Sequence, residues 1–180
     1  MEHFWVNNMK HPIEQLSRRE KALWLGSLLI VLISNLLTES FDLLTLIAAL
    51  VGVTSLIFAA KGNVWAQILM ILFSILYGII SYRFRYWGEM ITYLGMTMPM
   101  AIWSTYTWLK HPSKENGNEV EIQALSRGHA VALTVATIAV TAVFYGILRA
   151  LDTPNIIFST ISVVTSFLAA ALTMLRSSYY

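Results

Sequence analysis

An all-α membrane protein is the fold class that this sequence predicts, because charges are few and apolar residues are gathered in long blocks. Of the 180 residues, 57% are hydrophobic and 12% are charged, whereas a soluble domain carries about 25% charged residues. Crossing the hydrocarbon layer of a bilayer takes about 20 helical residues. Six blocks approach that length: 21–38, 41–60, 64–82, 88–109, 129–149 and 155–176. Together they leave no room for a soluble domain of useful size.

The segments between the blocks predict how the helices are grouped. Residues 1–20 mix aromatic and charged side chains, which is typical of a segment in the headgroup layer or of a disordered tail. Most later connections are short, so consecutive helices should be antiparallel neighbours. The expected units are a three-helix bundle over 21–82, a linker helix over 88–109, a polar loop over 112–127 and two further helices over 129–180.

The distribution of lysine and arginine predicts the orientation in the membrane. With the N-terminus inside, nine of these residues fall on the cytoplasmic side: Lys10, Arg18, Arg19, Lys21, Lys61, Lys110, Lys114, Arg127 and Arg176. Three fall on the other side: Arg83, Arg85 and Arg149. Cytoplasmic loops of membrane proteins carry an excess of positive charge. A multi-pass protein of the plasma membrane is therefore predicted, with its N-terminus and the loop 112–127 in the cytoplasm.

The second and sixth blocks share a weak internal repeat. Val53-Thr54-Ser55 and Ala59-Ala60 recur 111 residues later as Val164-Thr165-Ser166 and Ala170-Ala171. Chance is the competing explanation, since small and apolar residues dominate both stretches. Parallel repeats are one way in which membrane transporters are built. A true repeat would pair the first two blocks with the last two, make 88–109 a linker and leave 64–82 without a partner.

Several short stretches resemble the PnuC family of vitamin transporters. They are Lys61-Gly62-Asn63, Tyr77-Gly78-Ile79-Ile80-Ser81-Tyr82, Trp87-Gly88-Glu89-Met90, Pro99-Met100 with Trp108, and Phe158-Ser159-Thr160-Ile161-Ser162. The resemblance runs from about Leu46 to the C-terminus. It implies a seven-helix fold of three, one and three helices, similar to that of the SWEET sugar carriers. Six transmembrane helices of this chain would supply three, one and two of them, so that the last helix is expected to be absent.

The resemblance also implies a function. Members of the family carry nicotinamide riboside, and some relatives carry other vitamins or nucleosides, by facilitated diffusion followed by phosphorylation in the cytoplasm. We therefore expect uptake of nicotinamide riboside or a related small molecule. The alternative is a non-transporting membrane interaction or regulatory protein whose polar residues serve only to pack helices. Membrane lipid is the other expected partner, and the sequence leaves a homo-oligomer open.

Polar side chains recur at helical spacing within the blocks, which predicts that they converge on a polar centre. The candidate substrate-binding residues are Gln67, Ser74, Tyr77, Trp103, Asn155, Ser159 and Ser162. For the serines, close packing of helices is the competing explanation, because small hydroxylated residues have that role in many membrane proteins. The amides of Gln67 and Asn155 need several hydrogen-bond partners at once. They are therefore the stronger polar candidates. Gln67 is expected near the cytoplasmic start of its helix, and Asn155 near the outer start of its own.

Aromatic residues inside the blocks predict a cation-binding surface. The faces of Trp103 and Tyr77 would attract a cationic ring, such as the pyridinium of nicotinamide riboside, within about 6 Å. An interfacial belt of aromatic residues is the alternative. Glu89 opens the fourth block close to Arg83 and Arg85, so the sequence predicts a local ion pair there.

Other classes of function find little support in the sequence. The formal charge of +2 does not suggest a nucleic-acid partner, and the absence of cysteine excludes disulfides and thiolate metal sites. There is no histidine–carboxylate pair at metal spacing, no nucleophile elbow and no phosphate-binding loop. We therefore expect no enzyme activity, no cofactor and no metal. The lack of a buried basic cluster also argues against a phosphorylated substrate.

The predicted orientation can be tested with single cysteines, since the chain has none of its own. Ser113→Cys, in the loop 112–127, should be labelled by an impermeant thiol reagent only after the cells are opened. Ser40→Cys, on the opposite side, should be labelled in intact cells. Labelling of Ser113→Cys from outside would contradict the orientation.

Overall fold

The computed structural model describes residues 12–38, 41–113, 118–152 and 155–177, and the regular elements in this part of the chain are helices. They are α1 (Arg18–Leu36), α2 (Leu43–Ala59), α3 (Trp65–Arg83), α4 (Trp87–Ile91), a π-helical segment (Thr92–Thr97), α5 (Met98–Lys110), α6 (Arg127–Ala150) and α7 (Ile156–Met174). The backbone stays helical from α4 through the π-helical segment into α5. These three elements form one unit, which we call the linker rod.

Among the described residues, three helices are long and apolar enough to cross a membrane by length and composition: α3, α6 and α7. Helix α2 is also apolar but has 17 residues. Helix α1 begins with four charged residues, and the linker rod is divided by its π-helical segment. The predicted fold class, an all-α membrane protein with several apolar helices, is confirmed. The number of six transmembrane helices stays a prediction.

Local hydrogen bonds explain where several helices begin. The Ser17 hydroxyl accepts a bond from the Glu20 N–H, and the Ser17 N–H donates to the Glu20 carboxylate at 2.7 Å. This reciprocal pair satisfies two amide groups at the start of α1, and the bond from the backbone lowers the pKa of Glu20. Asp42 caps α2 by accepting from the Thr45 N–H at 3.2 Å. Ser126 caps α6 in the same way.

The helices pack in a row in which each contacts its neighbours. Helix α1 lies on α2, α2 on α3, α3 on the linker rod, the linker rod on α7, and α7 on α6. The contact between α2 and α3 is close because small residues face it. The Ser55 hydroxyl, which is 0% exposed, donates to the Ala66 carbonyl at 2.9 Å, and an added Cβ at Gly52 would lie 3.0 Å from the Phe73 ring. The short connections thus join neighbouring helices, as predicted.

Helix α3 and the π-helical segment approach each other even more closely. A Cβ added at Gly78 would lie 2.7 Å from Cγ of Leu94, a distance that real Cβ atoms essentially never show. A π-helical turn contains an extra residue and is frequently found at functional sites. Here it brings Tyr93 beside Tyr77 of α3, with 4.5 Å between the ring centroids.

Residues 118–123 form a segment that we call the strap, and the end of the bundle that it crosses is the strap end. Its backbone is bonded to the connection between α2 and α3 and to the chain after α7. Val64 N–H donates to Asn118 O at 2.9 Å, Val120 N–H to Gly62 O at 2.9 Å, and Gln123 N–H to Arg176 O at 2.9 Å. Val120 is 8% exposed and packs against Val64 in an apolar cluster. The strap lies within the predicted loop 112–127, of which residues 114–117 are outside the described part.

The chain before α1 also packs on the strap end. Leu16 is 4% exposed and lies in an apolar cluster with Phe58. Lys61 Nζ donates to Gln15 O at 2.6 Å and is 3.2 Å from a carboxylate oxygen of Glu20. Of the predicted N-terminal segment 1–20, residues 12–17 are thus held by the bundle, whereas residues 1–11 lie outside the described part.

The close contact at Gly78 predicts a difference between two glycine-to-alanine substitutions. Gly78→Ala should destabilise the protein by about 1–3 kcal/mol, as overpacking does elsewhere. Gly146→Ala in α6 is the matched control, because nothing lies within 4 Å of an added Cβ there. It should be neutral or stabilising by up to about 1 kcal/mol, since alanine favours the helix. Thermal unfolding of the two variants in detergent measures the difference, and equal unfolding temperatures would contradict it.

Candidate functional site

A cavity of about 1220 Å³ extends along the bundle between α3, the linker rod and α7. Gly62 and Arg176 line it at the strap end, and Arg85 and Glu89 line it at the opposite end, which we call the Glu89 end. Cavities that bind small molecules are commonly about 300–1,000 Å³ and mostly apolar with a few polar groups. This cavity therefore has room for a molecule of nucleoside size.

Four of the seven predicted site residues line this cavity: Gln67, Tyr77, Ser159 and Ser162. Gln67 is 7% exposed, and its amide forms no hydrogen bond to another described residue. The donor and acceptor atoms of Gln67 are therefore available to a molecule in the cavity.

The other three predicted residues do not line the cavity. Ser74 is 0% exposed, and its hydroxyl donates to the Met70 carbonyl at 2.8 Å. Trp103 is 57% exposed on α5, with its ring beside Tyr106. Asn155 precedes α7 with a φ of 55° and makes no side-chain capping bond. The structure thus brings four of the seven residues together and leaves these three apart from them.

The polar face of α3 is divided between two roles. Gln67, Met70, Phe73 and Tyr77 face the cavity. Ser74 and Ser81 of the same helix are buried between helices. On α7, by contrast, Ser159, Ser162, Ser166 and Thr173 line the cavity, whereas the predicted site residue Asn155, just before this helix, does not. Sequence spacing alone does not separate residues that face the cavity from residues that are buried between helices. Neighbouring positions in the chain, such as Phe73 and Ser74, lie on adjacent faces of the helix.

Several lining residues were not predicted as site residues. They include Met70, Phe73, Tyr93, Thr97, Ser104 and Val120. Tyr93 and Thr97 belong to the π-helical segment, whose altered register ordinary helical spacing does not anticipate. Val120 comes from the strap, which reaches the cavity only through tertiary contacts. Met100, Ala101 and Ser104 of α5 do follow the spacing of three and four residues that would have identified them.

Three aromatic rings form a cluster in the cavity wall. The centroid distances are 5.5 Å between Phe73 and Tyr77, 5.6 Å between Phe73 and Tyr93, and 4.5 Å between Tyr77 and Tyr93. Glu89 lines the cavity close to the Tyr77 hydroxyl. We call these four residues the Glu89 cluster.

Charged residues lie near the two ends of the cavity. The predicted ion pair of Glu89 with Arg83 or Arg85 is wrong, because Arg83 instead lies 3.6 Å from a carboxylate oxygen of Asp42 across to α2. Glu89 is the acidic residue among the described residues that line the cavity.

No group of three or more metal-binding side chains occurs within the described ranges. A bound metal therefore has no evident site in this part of the chain.

Comparison with known proteins agrees with the fold. The model of the family described as "Nicotinamide mononucleotide transporter" matches residues 42–179. The chain belongs to this family. Membership confirms the assignment made from sequence motifs, and it identifies a multi-pass membrane protein related to transporters and not to enzymes.

A curated relative and a solved structure support the same assignment. The nicotinamide riboside transporter PnuC of Neisseria mucosa is 26% identical over 133 residues, which cover 72% of this chain and 51% of the relative. The chain thus spans about half the length of this curated relative. The crystal structure of the vitamin B3 transporter PnuC matches with a TM-score of 0.73 and 24% identity, over 90% of this chain and 70% of that one. The chain therefore has the fold of that transporter.

The positions of Ser74 on α3 and Ser162 on α7 predict different reactivities for cysteines placed there. Ser162→Cys should react readily with a small water-soluble thiol reagent, because Ser162 is exposed in the cavity. Ser74→Cys should react slowly, because Ser74 is 0% exposed. The unsubstituted protein is the blank, since it contains no cysteine. Equal labelling of the two variants would contradict the placement of α3 and α7 around the cavity.

Proposed function

We propose that the cavity binds nicotinamide riboside, or a related vitamin or nucleoside, and that the protein carries it across the plasma membrane. The observation that carries the proposal is the Gln67 side chain, which lines the same cavity as the Tyr77 and Tyr93 rings and bonds no other described residue. An amide can bind the carboxamide or ribose hydroxyls of such a molecule, and aromatic faces attract its cationic ring. Ser159 and Ser162 offer hydroxyls from α7 on the other side.

The riboside fits the cavity better than the mononucleotide that the family description mentions. A phosphate group is usually bound by clustered arginines or by backbone amides. The lining basic residues are dispersed: Lys61 and Arg176 are at the strap end and Arg85 is at the Glu89 end. Lys61 is already engaged with Gln15 and Glu20. A neutral ribose therefore meets a more suitable environment than a phosphate.

Facilitated diffusion is the mechanism that the distribution of charges supports. Coupling to protons would favour a carboxylate deep in a transmembrane helix. The acidic residue among the described lining residues is Glu89, in the first turn of α4 at one end of the cavity. The proposal therefore includes no coupling ion.

The proposed arrangement in the membrane has six transmembrane helices: α1, α2, α3, the linker rod, α6 and α7. This would be three, one and two helices of a SWEET-like fold of three, one and three, with the strap end and the N-terminus in the cytoplasm. Support comes from the row of packed helices and from the basic residues Lys61, Lys110, Arg127 and Arg176, which precede or follow helices at the strap end. Lipid would contact the exposed apolar side chains of α1 and α6.

A second candidate is a membrane interaction protein that does not transport. The observation that favours it is the use of buried serines for helix packing, such as the bond from Ser55 to Ala66 O. This candidate explains the contact between α2 and α3. It gives no role to the Gln67 amide in the cavity, which is why transport is the stronger proposal.

Purified protein in liposomes tests the function. Radiolabelled nicotinamide riboside should bind and accumulate inside until its concentrations are equal, and collapsing proton and sodium gradients should leave the initial rate unchanged. An equal concentration of the mononucleotide should compete weakly. Strong competition would contradict the substrate assignment, and a rate that vanished without gradients would contradict facilitated diffusion. Binding without any uptake would favour the interaction protein.

A further inference from the structure

The Glu89 cluster lies at one end of the cavity and has a composition suited to a cation. Glu89 contributes a carboxylate, and the rings of Tyr77 and Tyr93 lie close to it, 4.5 Å apart and tilted by 54° to each other. Aromatic faces attract cations, and the attraction strengthens when the cation loses water. A carboxylate beside such rings adds a full negative charge. This combination distinguishes cationic from neutral aromatic molecules of the same shape.

Within the described residues, Glu89 takes part in no ion pair that would cancel its charge. Arg83, at the end of α3, lies 3.6 Å from a carboxylate oxygen of Asp42 instead. The neutral Tyr77 side chain lies close to Glu89 and leaves its charge in place. Glu89 is also not a capping residue, because α4 begins without a side-chain capping bond.

The geometry of the linker rod holds the cluster together. Glu89 of α4 and Tyr93 of the π-helical segment both line the cavity. The π-helical segment begins at Thr92, directly before Tyr93. Gly78, which has no side chain, lets this segment approach α3 closely enough for Tyr93 to contact Tyr77. Three separate features of the sequence therefore converge on this one arrangement.

We infer that Glu89, with the rings of Tyr77 and Tyr93, is a selectivity site that favours N-alkylated pyridinium cations over their neutral counterparts as they enter the cavity. The inference rests on the proposed function and extends it, since it names the property of the ligand that this end of the cavity recognises. Arg85 lines the same end and opposes the effect, because its positive charge repels a cation. The balance between Glu89 and Arg85 therefore sets the strength of the selection.

A matched pair of small ligands tests the site without the ribose. The cation 1-methylnicotinamide and neutral nicotinamide differ by one methyl group and one charge. The full chain in detergent should bind the cation more tightly, as measured by isothermal titration calorimetry. Glu89→Gln should weaken binding of the cation about three- to fivefold, the range of a partly exposed ion pair, and should leave nicotinamide unchanged.

Two control variants separate a local from a general effect of charge. Glu121→Gln makes the same change of net charge at the strap end, on an exposed side chain that does not line the cavity. It should leave the affinities for 1-methylnicotinamide and for nicotinamide unchanged. Arg85→Gln should strengthen binding of the cation by a similar factor, so the inference remains testable even if Glu89→Gln does not fold.

Each outcome has a defined meaning. Equal affinity of the unsubstituted protein for the two small ligands would overturn the inference, and so would an equal loss for both in Glu89→Gln. Nicotinamide riboside is titrated in parallel. If it does not bind while the small cation is still preferred over nicotinamide, the proposed function fails and the selectivity site stands. If it binds equally to the unsubstituted protein and to Glu89→Gln, the selectivity site fails and the proposed function stands.

Discussion

A polar group in the hydrocarbon layer must find its hydrogen-bond partner inside the protein, and the arrangement of this bundle follows from that constraint. An unpaired backbone or side-chain group there costs several kcal/mol. Hydroxyls within the helices mostly bond the carbonyl four residues earlier, as Thr54 does with Leu50 O at 2.7 Å. Others bond across helices, as Ser55 does with Ala66 O. The Trp108 indole N–H reaches Thr173 O of α7 at 2.9 Å and so joins the linker rod to the last described helix.

Gln67 differs from these groups and thereby marks the cavity. Its amide lines the cavity and bonds no other described residue. A ligand with complementary donors and acceptors can therefore bind it. The same reasoning explains the strap. Its backbone groups bond Gly62 O, Val64 N–H and Arg176 O, so backbone hydrogen bonds hold this segment over one end of the cavity.

The candidate site was predicted in part, and the failures have identifiable physical causes. Gln67 and the α7 serines were found because polar residues at helical spacing are costly in a membrane. Ser74 was predicted for the same reason, but a bond to Met70 O already satisfies it. Trp103 has the chemistry of a ligand-binding residue, yet it projects from α5 at 57% exposure. Tyr93 was missed because a π-helical turn changes which residues share a face.

The sequence by itself determined the class of protein and its family. Long apolar blocks require helices in a membrane, and the motifs around Lys61, Trp87 and Phe158 identify the transporter family. Tertiary structure decided which side of each helix meets the cavity, and that Arg83 pairs with Asp42 and leaves Glu89 free of an ion pair. These outcomes depend on contacts between residues far apart in the chain. Helical spacing is a local property and does not encode the neighbour that each face will meet.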